Sequence, residues 1–246
     1  MSVILGLIFG SFLNVCIYRI PKKESIVFGH SHCMSCGSNL TPLDLVPVFS
    51  FIFLGGKCRH CGARISPRYP VVESLNAALW VCAFFTFGLS FRTITVAAFI
   101  SGLIVLTFID IDTKTIPNGV VIYLLAVGAV NCFADTSEPF YWKIIGVFAG
   151  GLPLLIIALA SRGGMGGGDV KIAAAAGLFL GWKLSLFALL AAFVTGAVFG
   201  VIYMAAAKKS GKTQIPFAPF LSAGMLIALF FGNPLINLYL TFFKLQ

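Results

Sequence analysis

Charged residues are scarce in this chain of 246 residues, and acidic residues are the scarcest of all. Aspartate and glutamate together number 8, and all charged residues make up 10% of the chain, whereas hydrophobic residues make up 59%. Soluble domains usually carry about 25% charged residues. This composition, with a mean hydropathy of +1.00, excludes an ordinary soluble domain and indicates a membrane protein.

Several familiar sequence signatures are also absent. The glycine run does not continue into the G-x-x-x-x-G-K-[ST] pattern of a phosphate loop, and no G-x-G-x-x-G fingerprint follows a predicted strand. The chain shows no internal repeat, which many transporters have. The first apolar segment lacks a basic leading region and a small-residue cleavage site, so we interpret it as a retained helix and not as a signal peptide.

What the chain does contain is a series of long uncharged runs. Six of them approach or exceed the roughly 17–25 residues that span a bilayer as a helix. These runs are 74–91, 93–109, 115–134, 144–161, 184–207 and 213–243. Together with an apolar segment over 3–18 and a short one that starts near Asp169, they predict an all-α polytopic membrane protein with about eight transmembrane helices.

The sequence predicts three parts. The first transmembrane helix occupies residues 1–20, a small cytoplasmic loop domain rich in proline, glycine and serine occupies 21–70, and helices two to eight form a membrane-embedded domain over 71–246. A loop domain of about fifty residues cannot bury a large core, so we expect a metal or disulfides to stabilise it.

The net charge of +9 follows from membrane topology and does not require a nucleic-acid partner. Lysine and arginine favour cytoplasmic loops, and basic residues are concentrated in two places: between the first two apolar segments, and before the last one at Lys208, Lys209 and Lys212. This bias predicts a multi-pass protein of the cytoplasmic (inner) membrane with its N-terminus outside. Asp110 and Asp169 then both lie at the cytoplasmic face.

These two carboxylates form the first candidate site. An ionisable residue at membrane depth is costly and is a functional candidate by default. Two carboxylates in one poorly solvated site do not both ionise easily, so one can keep a proton while the other activates water. Simpler interpretations remain open: Asp169 as a helix cap, and Asp110 with Asp112 as an ordinary helix end. Asp112 cannot share a helical face with Asp110, since residues two apart point about 200° apart.

Four of the seven cysteines form the second candidate site. Cys33 and Cys36 make one C-x-x-C-G pair, Cys58 and Cys61 make another, and 21 residues separate the pairs. This arrangement is typical of structural zinc sites, and a cytoplasmic location argues against disulfides. A redox-active pair is the alternative. The neighbouring histidines, interpreted as ordinary loop residues, are His30, His32 and His60.

Six further motifs give the chain a family resemblance. GSFLNVCIYRIP, LGGKC, SPRYPVVE, DIDTKTIPN, GMGGGDVK and IPFAPFL occur in this order between Gly10 and Leu221. With the two C-x-x-C pairs, they resemble the type IV prepilin peptidases (peptidase family A24), which are G-x-G-D intramembrane aspartyl proteases. The resemblance implies that Asp110 and Asp169 are the catalytic pair. Ala218 replaces the glycine that is usual in the last motif, which leaves the role of that motif open.

The resemblance also implies a bifunctional enzyme. Members with the four-cysteine loop cleave the leader of type IV prepilins or pseudopilins and then N-methylate the new terminus with S-adenosylmethionine. Zinc would be structural, and the partners would be the prepilin substrate and the lipid bilayer. Gly55, Gly56 and Glu73 lie in matching motifs and are candidates for methyl transfer.

Two alternatives remain from the sequence. The chain could be a peptidase that lacks the methylating activity. From a different class, it could be a transporter whose carboxylates form a proton relay and whose cytoplasmic module is stabilised by zinc.

Overall fold

The computed structural model describes residues 2–161, 164–207 and 215–243. Arg162, Gly163, Lys244 and the basic cluster Lys208, Lys209 and Lys212 lie outside these ranges. The described residues form helices and connecting loops, with isolated bridges as their strand pairing, so the all-α prediction is confirmed. The α-helices are α1 (Ser2–Arg19), α2 (Phe49–Phe53), α3 (Arg68–Phe87), α4 (Phe91–Thr113), α5 (Asn118–Ala134), α6 (Phe140–Ala160), α7 (Gly167–Ala207) and α8 (Ala218–Phe242).

Six helices in the described residues are long and apolar enough to cross a membrane. They are α1, α3, α4, α6, α7 and α8. Helix α5 is apolar but has 17 residues, which is at the lower limit for a span. Helix α2 has five residues and cannot cross.

The chain forms two compact units, Met1–Leu89 and Ser90–Gln246. In the first unit, α1 and α3 approach closely through glycines one turn apart on α1. A Cβ on Gly6 would lie 2.7 Å from the Cα of Ala77, and a Cβ on Gly10 would lie 2.7 Å from the Cα of Glu73. Small residues at this spacing allow helix backbones to meet in membranes. Helix α3 is therefore part of the same unit as the loop 21–70, and the predicted boundary near residue 70 stays a prediction about function.

Polar side chains also link α1 to α3 and to the loop through hydrogen bonds. Asn76 donates to the Gly6 carbonyl at 2.8 Å, and Asn14 donates to the Tyr69 carbonyl at 3.2 Å. The guanidinium of Arg19, at the end of α1, donates to four loop carbonyls, which belong to Ser25, Phe28, Gly29 and His30. The end of α1 thus organises the start of the loop domain.

In the second unit, α4 is much more buried than the other span candidates. It packs against α5 and α8, and α7 packs against α5, α6 and α8. The rings of Phe99 on α4 and Phe179 on α7 stack with centroids 4.1 Å apart. Helices α6 and α7 meet through glycines, because a Cβ on Gly177 would overlap the Gly146 carbonyl and a Cβ on Gly150 would overlap the Ala173 carbonyl.

Helix α7 contains one residue with non-helical backbone angles, Gly181, at φ 75° and ψ 174°. A positive φ is readily adopted by glycine and rarely by other residues. The sequence predicts two separate helices here, one short and starting near Asp169 and one over about 185–207. The non-helical backbone at Gly181 divides α7 between these two predicted helices, into segments 167–180 and 182–207.

The close packing of α6 on α7 predicts that Gly177→Ala destabilises the protein. The added methyl group has no room beside the Gly146 carbonyl, and overpacking of this kind costs about 1–3 kcal/mol. Gly200→Ala is the matched control, since no atom lies within 4 Å of its added Cβ and alanine is the better helix former. Thermal unfolding in detergent should show a lower midpoint for Gly177→Ala alone. Equal midpoints would contradict the packing described here.

Candidate active site and metal centre

Asp110 lies in the last turn of α4 and is 5% exposed. Its Oδ2 accepts a hydrogen bond from the backbone N–H of Ala218 at 3.2 Å, and Ala218 is the first residue of α8. The N-terminus of a helix carries a partial positive charge, so α8 offers this carboxyl group both a donor and a favourable dipole. A buried carboxyl group needs such a replacement for water.

Asp169 lies in the first turn of α7 and is 7% exposed. Its own backbone N–H donates to the Gly166 carbonyl at 3.1 Å, as expected within a first turn. The segment that follows Asp110 packs on the residue before Asp169, through the contact of Ile116 with Gly168, so the two carboxyl groups lie in the same part of the helix bundle. The structure therefore brings together the two acids that the sequence pairs.

Asp112 occupies a different environment from Asp110. It lies two residues further along α4 and is exposed, whereas Asp110 is buried. The two side chains point to different faces, as the helical period requires. The burial therefore agrees with the choice of Asp110 as the partner of Asp169.

Three sequence motifs meet around this carboxyl pair. The segment that follows α4 packs on the start of α7, since a Cβ on Gly168 would lie 2.6 Å from Ile116 Cδ1 and 2.9 Å from Ile116 Cβ. Lys171 Nζ donates to Asn118 Oδ1 at 3.2 Å, which links the same two segments. The IPFAPF segment contributes the Ala218 N–H. Close packing of these segments positions both acids.

The glycines before Asp169 have different surroundings. Gly168 is packed against Ile116, whereas a Cβ on Gly167 would meet nothing within 4 Å. A Cβ on Gly166 would lie 3.5 Å from Asp169 Oδ2. The glycine run thus combines one residue that must be small with backbone that is open beside the carboxyl group.

The four loop cysteines form the second centre. The sulfur atoms of Cys33, Cys36, Cys58 and Cys61 all lie within 4.8 Å of one another. The Cys33 and Cys61 sulfurs are 3.9 Å apart, close to the about 3.8 Å edge of a tetrahedron with Zn–S bonds of about 2.3 Å. All four cysteines are free thiols and form no disulfide. The thiols are therefore positioned to hold a metal, and a four-sulfur set suits zinc.

Both C-x-x-C-G segments fold in the same way. The Gly37 N–H donates to the Cys33 carbonyl and the Gly62 N–H donates to the Cys58 carbonyl, with the glycines at φ 71° and 70°. An isolated bridge flanks each turn, one between His32 and Asn39 and one between Lys57 and Arg64. The positive φ explains why glycine follows each pair.

The protonation of the cluster also favours a cation. Backbone N–H groups of Cys36 and Ser35 lower the pKa of Cys33, and those of Cys61 and His60 lower the pKa of Cys58. The Ala63 N–H acts in the same direction on Cys61, but desolvation and the three neighbouring sulfurs raise the pKa of Cys61 to about 11. Four thiolates cannot coexist at neutral pH without a positive charge among them, which a metal ion would supply.

The sequence of this chain matches known protein families along most of its length. Residues 4–87 match the bacterial peptidase A24 N-terminal domain, and residues 97–201 match the type IV leader peptidase family. A prepilin leader peptidase/N-methyltransferase of Bacillus subtilis is 39% identical over 96% of both chains. The chain belongs to the type IV leader peptidase family. The resemblance inferred from the sequence motifs is thereby confirmed.

Other relatives of the type IV leader peptidase family carry the same name. The prepilin leader peptidase/N-methyltransferase of Pseudomonas aeruginosa is 30% identical over 98% of this chain and 93% of its own length. That of Legionella pneumophila is 33% identical over 94% and 90%. No solved structure matches this chain.

The candidates for methyl transfer lie in the first unit. Gly55 and Gly56 follow α2 at φ 59° and 68°, and a Cβ on Gly56 would lie 3.1 Å from the ring of Phe51. Glu73 is buried in α3, and its Oε2 accepts a hydrogen bond from the Val48 N–H at 2.7 Å. The glycines thus set the shape of a turn, and Glu73 is the one of the three with a buried functional group.

Sequence reasoning missed two contributors. The Ala218 N–H is a backbone group, so no side-chain pattern announces it, although the position of the IPFAPFL motif before an apolar run indicates a helix start. The second is Val48, whose N–H donates to Glu73. Val48 has φ 63°, which is an outlier for a β-branched residue. Its neighbours carry no signal for such a conformation.

The cysteine geometry predicts that Cys58→Ser removes the metal. A hydroxyl group is a poor replacement for a thiolate in a four-sulfur site, so the purified protein should fall from about one zinc per chain to well below half. Cys82→Ser is the control, because Cys82 lies in α3 outside the cluster. Elemental analysis of both purified variants measures the difference. Full zinc content in Cys58→Ser, or none in the unaltered protein, would contradict the assignment.

Proposed function

We propose that this chain cleaves the leader peptide of type IV prepilins or pseudopilins and then N-methylates the newly exposed terminal residue. Family membership and the names of the curated relatives support both activities. The observation that carries the proposal is the pair of buried carboxyl groups, Asp110 and Asp169, at the ends of two helices whose adjoining segments are in contact.

The two acids are the catalytic pair of the peptidase. Asp110 is the member that accepts the Ala218 N–H at the positive end of α8, which favours its carboxylate form. It takes a proton from a water molecule as the water oxygen attacks the scissile carbonyl carbon. Asp169, in its acid form, donates a hydrogen bond to the carbonyl oxygen. When the C–N bond breaks, a proton passes to the leaving amine, and the pair returns to its starting state.

Access of the substrate fits the open backbone next to Asp169. Gly167 has no neighbour within 4 Å of an added Cβ, so an extended peptide can approach this side of the turn. The packed glycine, Gly168, has the different role of allowing Ile116 to lie against the start of α7.

The methyltransferase activity belongs to the first unit, with Gly55, Gly56 and Glu73 as its candidate residues. S-adenosylmethionine, when bound, would supply the methyl group to the neutral amine of the new terminus, with cleavage of the S–CH₃ bond, release of S-adenosylhomocysteine and loss of a proton from the amine. The four cysteines would hold a structural zinc ion that stabilises the loop domain.

The proposed topology has eight crossings with the N-terminus outside and the active site at the cytoplasmic face of the inner membrane. The bend at Gly181 supports this count, because it divides α7 into segments 167–180 and 182–207, and α5 supplies a further apolar helix. The basic residues of the loop 21–70 are then cytoplasmic, in agreement with the positive-inside rule.

The alternatives are separable. A peptidase without methylating activity would give a cleaved but unmethylated product when the methyl donor is present, which mass spectrometry of the product detects. The transporter alternative finds no support in the relatives from Bacillus subtilis, Pseudomonas aeruginosa and Burkholderia pseudomallei, which are named prepilin leader peptidase/N-methyltransferase.

We expect that replacement of either catalytic acid abolishes cleavage. Asp110→Asn or Asp169→Asn should lower the rate of prepilin cleavage by at least about 10³-fold, since the pair loses its base or its acid. Asp112→Asn is the matched control, because Asp112 is exposed on another face of α4, and it should retain most of the rate. Cleavage by detergent-purified variants is measured on a prepilin substrate. Full activity in Asp169→Asn would overturn the peptidase mechanism.

The packed glycine before Asp169 gives a second, subtler comparison. Gly168→Ala should slow cleavage about 10-fold or more, because its methyl group displaces Ile116 and with it the segment between the two acids. Gly200→Ala, further along α7, is the matched control, since its added Cβ meets no atom within 4 Å, and it should leave the rate within about threefold. Equal effects of the two substitutions would show that the Ile116 contact does not position the site.

A further inference from the structure

The first unit contains a cavity of about 380 Å³. This volume lies within the range of about 300–1,000 Å³ that is usual for small-molecule sites. Helices α1 and α3, the short helix α2 and both C-x-x-C segments contribute to its walls. The walls include aromatic rings and polar side chains, among them Tyr18, Phe51, Tyr69, Asn14 and Glu73.

Acidic and basic side chains both surround this cavity. Residues 1–89 contain seven basic side chains and three acidic ones, Glu24, Asp44 and Glu73. All three acids line the cavity, and so do three of the basic residues, Arg19, Arg59 and Arg64. The charge that a ligand meets therefore depends on which of these side chains are already paired.

Among the described residues, Glu73 is the acid of this set that is buried without a basic partner, whereas Glu24 is exposed. The Asp44 carboxylate accepts from Arg59 Nε at 2.8 Å and from the Thr41 hydroxyl at 2.7 Å. Glu73 instead accepts from neutral donors, the Val48 N–H at 2.7 Å and the side chain of Ser11. It is 6% exposed, and a buried carboxylate at membrane depth is expensive unless a cation compensates it.

The contact between Glu73 and Val48 also shapes the cavity wall. Val48 precedes α2 and has φ 63°, a conformation that a β-branched residue adopts only when its surroundings hold it there. Phe51 and Leu54, which follow on α2 and after it, line the cavity. The hydrogen bond from Val48 to Glu73 therefore ties this wall to α3.

The metal cluster also contributes to the wall. Cys33 and Cys58 both line the cavity, and their sulfurs belong to the four-sulfur cluster. A bound metal would thus fix the position of this wall without taking part in ligand recognition.

We propose that this cavity is the S-adenosylmethionine site, with the Glu73 carboxylate facing the sulfonium group of the ligand. The proposal rests on the methylating activity proposed above and assigns it a location. The sulfonium group suits the buried, cation-free carboxylate of Glu73, and the adenine ring suits the aromatic part of the wall. Glu73 would recognise charge, and Val48 and α2 would keep the cavity open.

The test measures binding and does not depend on turnover. Isothermal titration of the zinc-containing full-length protein in detergent uses two probes, S-adenosylmethionine and S-adenosylhomocysteine, which lacks the sulfonium charge. Glu73→Gln keeps the shape and an acceptor for the Val48 N–H. It should weaken S-adenosylmethionine at least 10-fold and S-adenosylhomocysteine less than threefold, so that the preference for the charged ligand is lost.

Controls separate this proposal from folding defects and from the peptidase. Asp112→Asn, a carboxyl-to-amide change on an exposed residue of the second unit, should bind both probes as the unaltered protein does. So should Asp169→Asn, even though cleavage is lost. Leu54→Trp fills the cavity and should abolish binding of both probes, while the zinc content stays at one per chain. This variant tests whether the cavity is the binding site even if Glu73→Gln does not fold.

The outcomes that overturn the proposal are distinct. Unchanged affinity and selectivity in Glu73→Gln, or normal binding in Leu54→Trp, would place the methyl donor elsewhere. If Glu73→Gln instead weakened only a peptide with a free N-terminal phenylalanine, the cavity would belong to the methyl acceptor. If the unaltered protein binds both probes but does not cleave a prepilin, the proposed peptidase activity is contradicted and the assignment of the cavity still stands.

Discussion

The hydrogen bond from the Ala218 N–H to Asp110 is the interaction on which the arrangement of the second unit depends. A carboxyl group inside an apolar helix bundle has lost its water and must receive a substitute from the protein. The first residue of α8 gives that substitute through a backbone donor and the positive end of a helix. This requirement fixes where α8 begins relative to the end of α4.

The same constraint explains why distant motifs share one site. The end of α4 carries Asp110, the start of α7 carries Asp169, and the segment between α4 and α5 packs on Gly168 through Ile116. Each motif contributes a helix end, because a helix end is where unpaired backbone donors and conformational freedom occur. Buried chemistry in this bundle is thus concentrated at helix termini. In the first unit Glu73 follows a related principle, since it satisfies the N–H of the strained residue that precedes α2.

Much of this could be predicted from the sequence, for physical reasons. Lone carboxylates in apolar surroundings and paired C-x-x-C-G segments are conspicuous because their chemistry is costly or specific, so Asp110, Asp169 and the four cysteines could be named in advance. The helical class followed from run length and hydropathy. Backbone contributions could not be found in this way: the donor at Ala218, the φ of Val48 and the bend at Gly181 depend on tertiary packing. The packing of Gly168 on Ile116 could not be predicted either, because a glycine run does not indicate which of its residues must be small.

The account claims that Asp110 and Asp169 act as a single unit, and a double substitution tests this most directly. The residual rate of prepilin cleavage is measured for Asp110→Asn, for Asp169→Asn and for the protein with both changes. If the acids act together, the double variant is no slower than either single variant, within about threefold, because the first substitution already removes the function of the pair. If the two losses multiply, the acids contribute independently, and the claim of one shared catalytic pair is wrong.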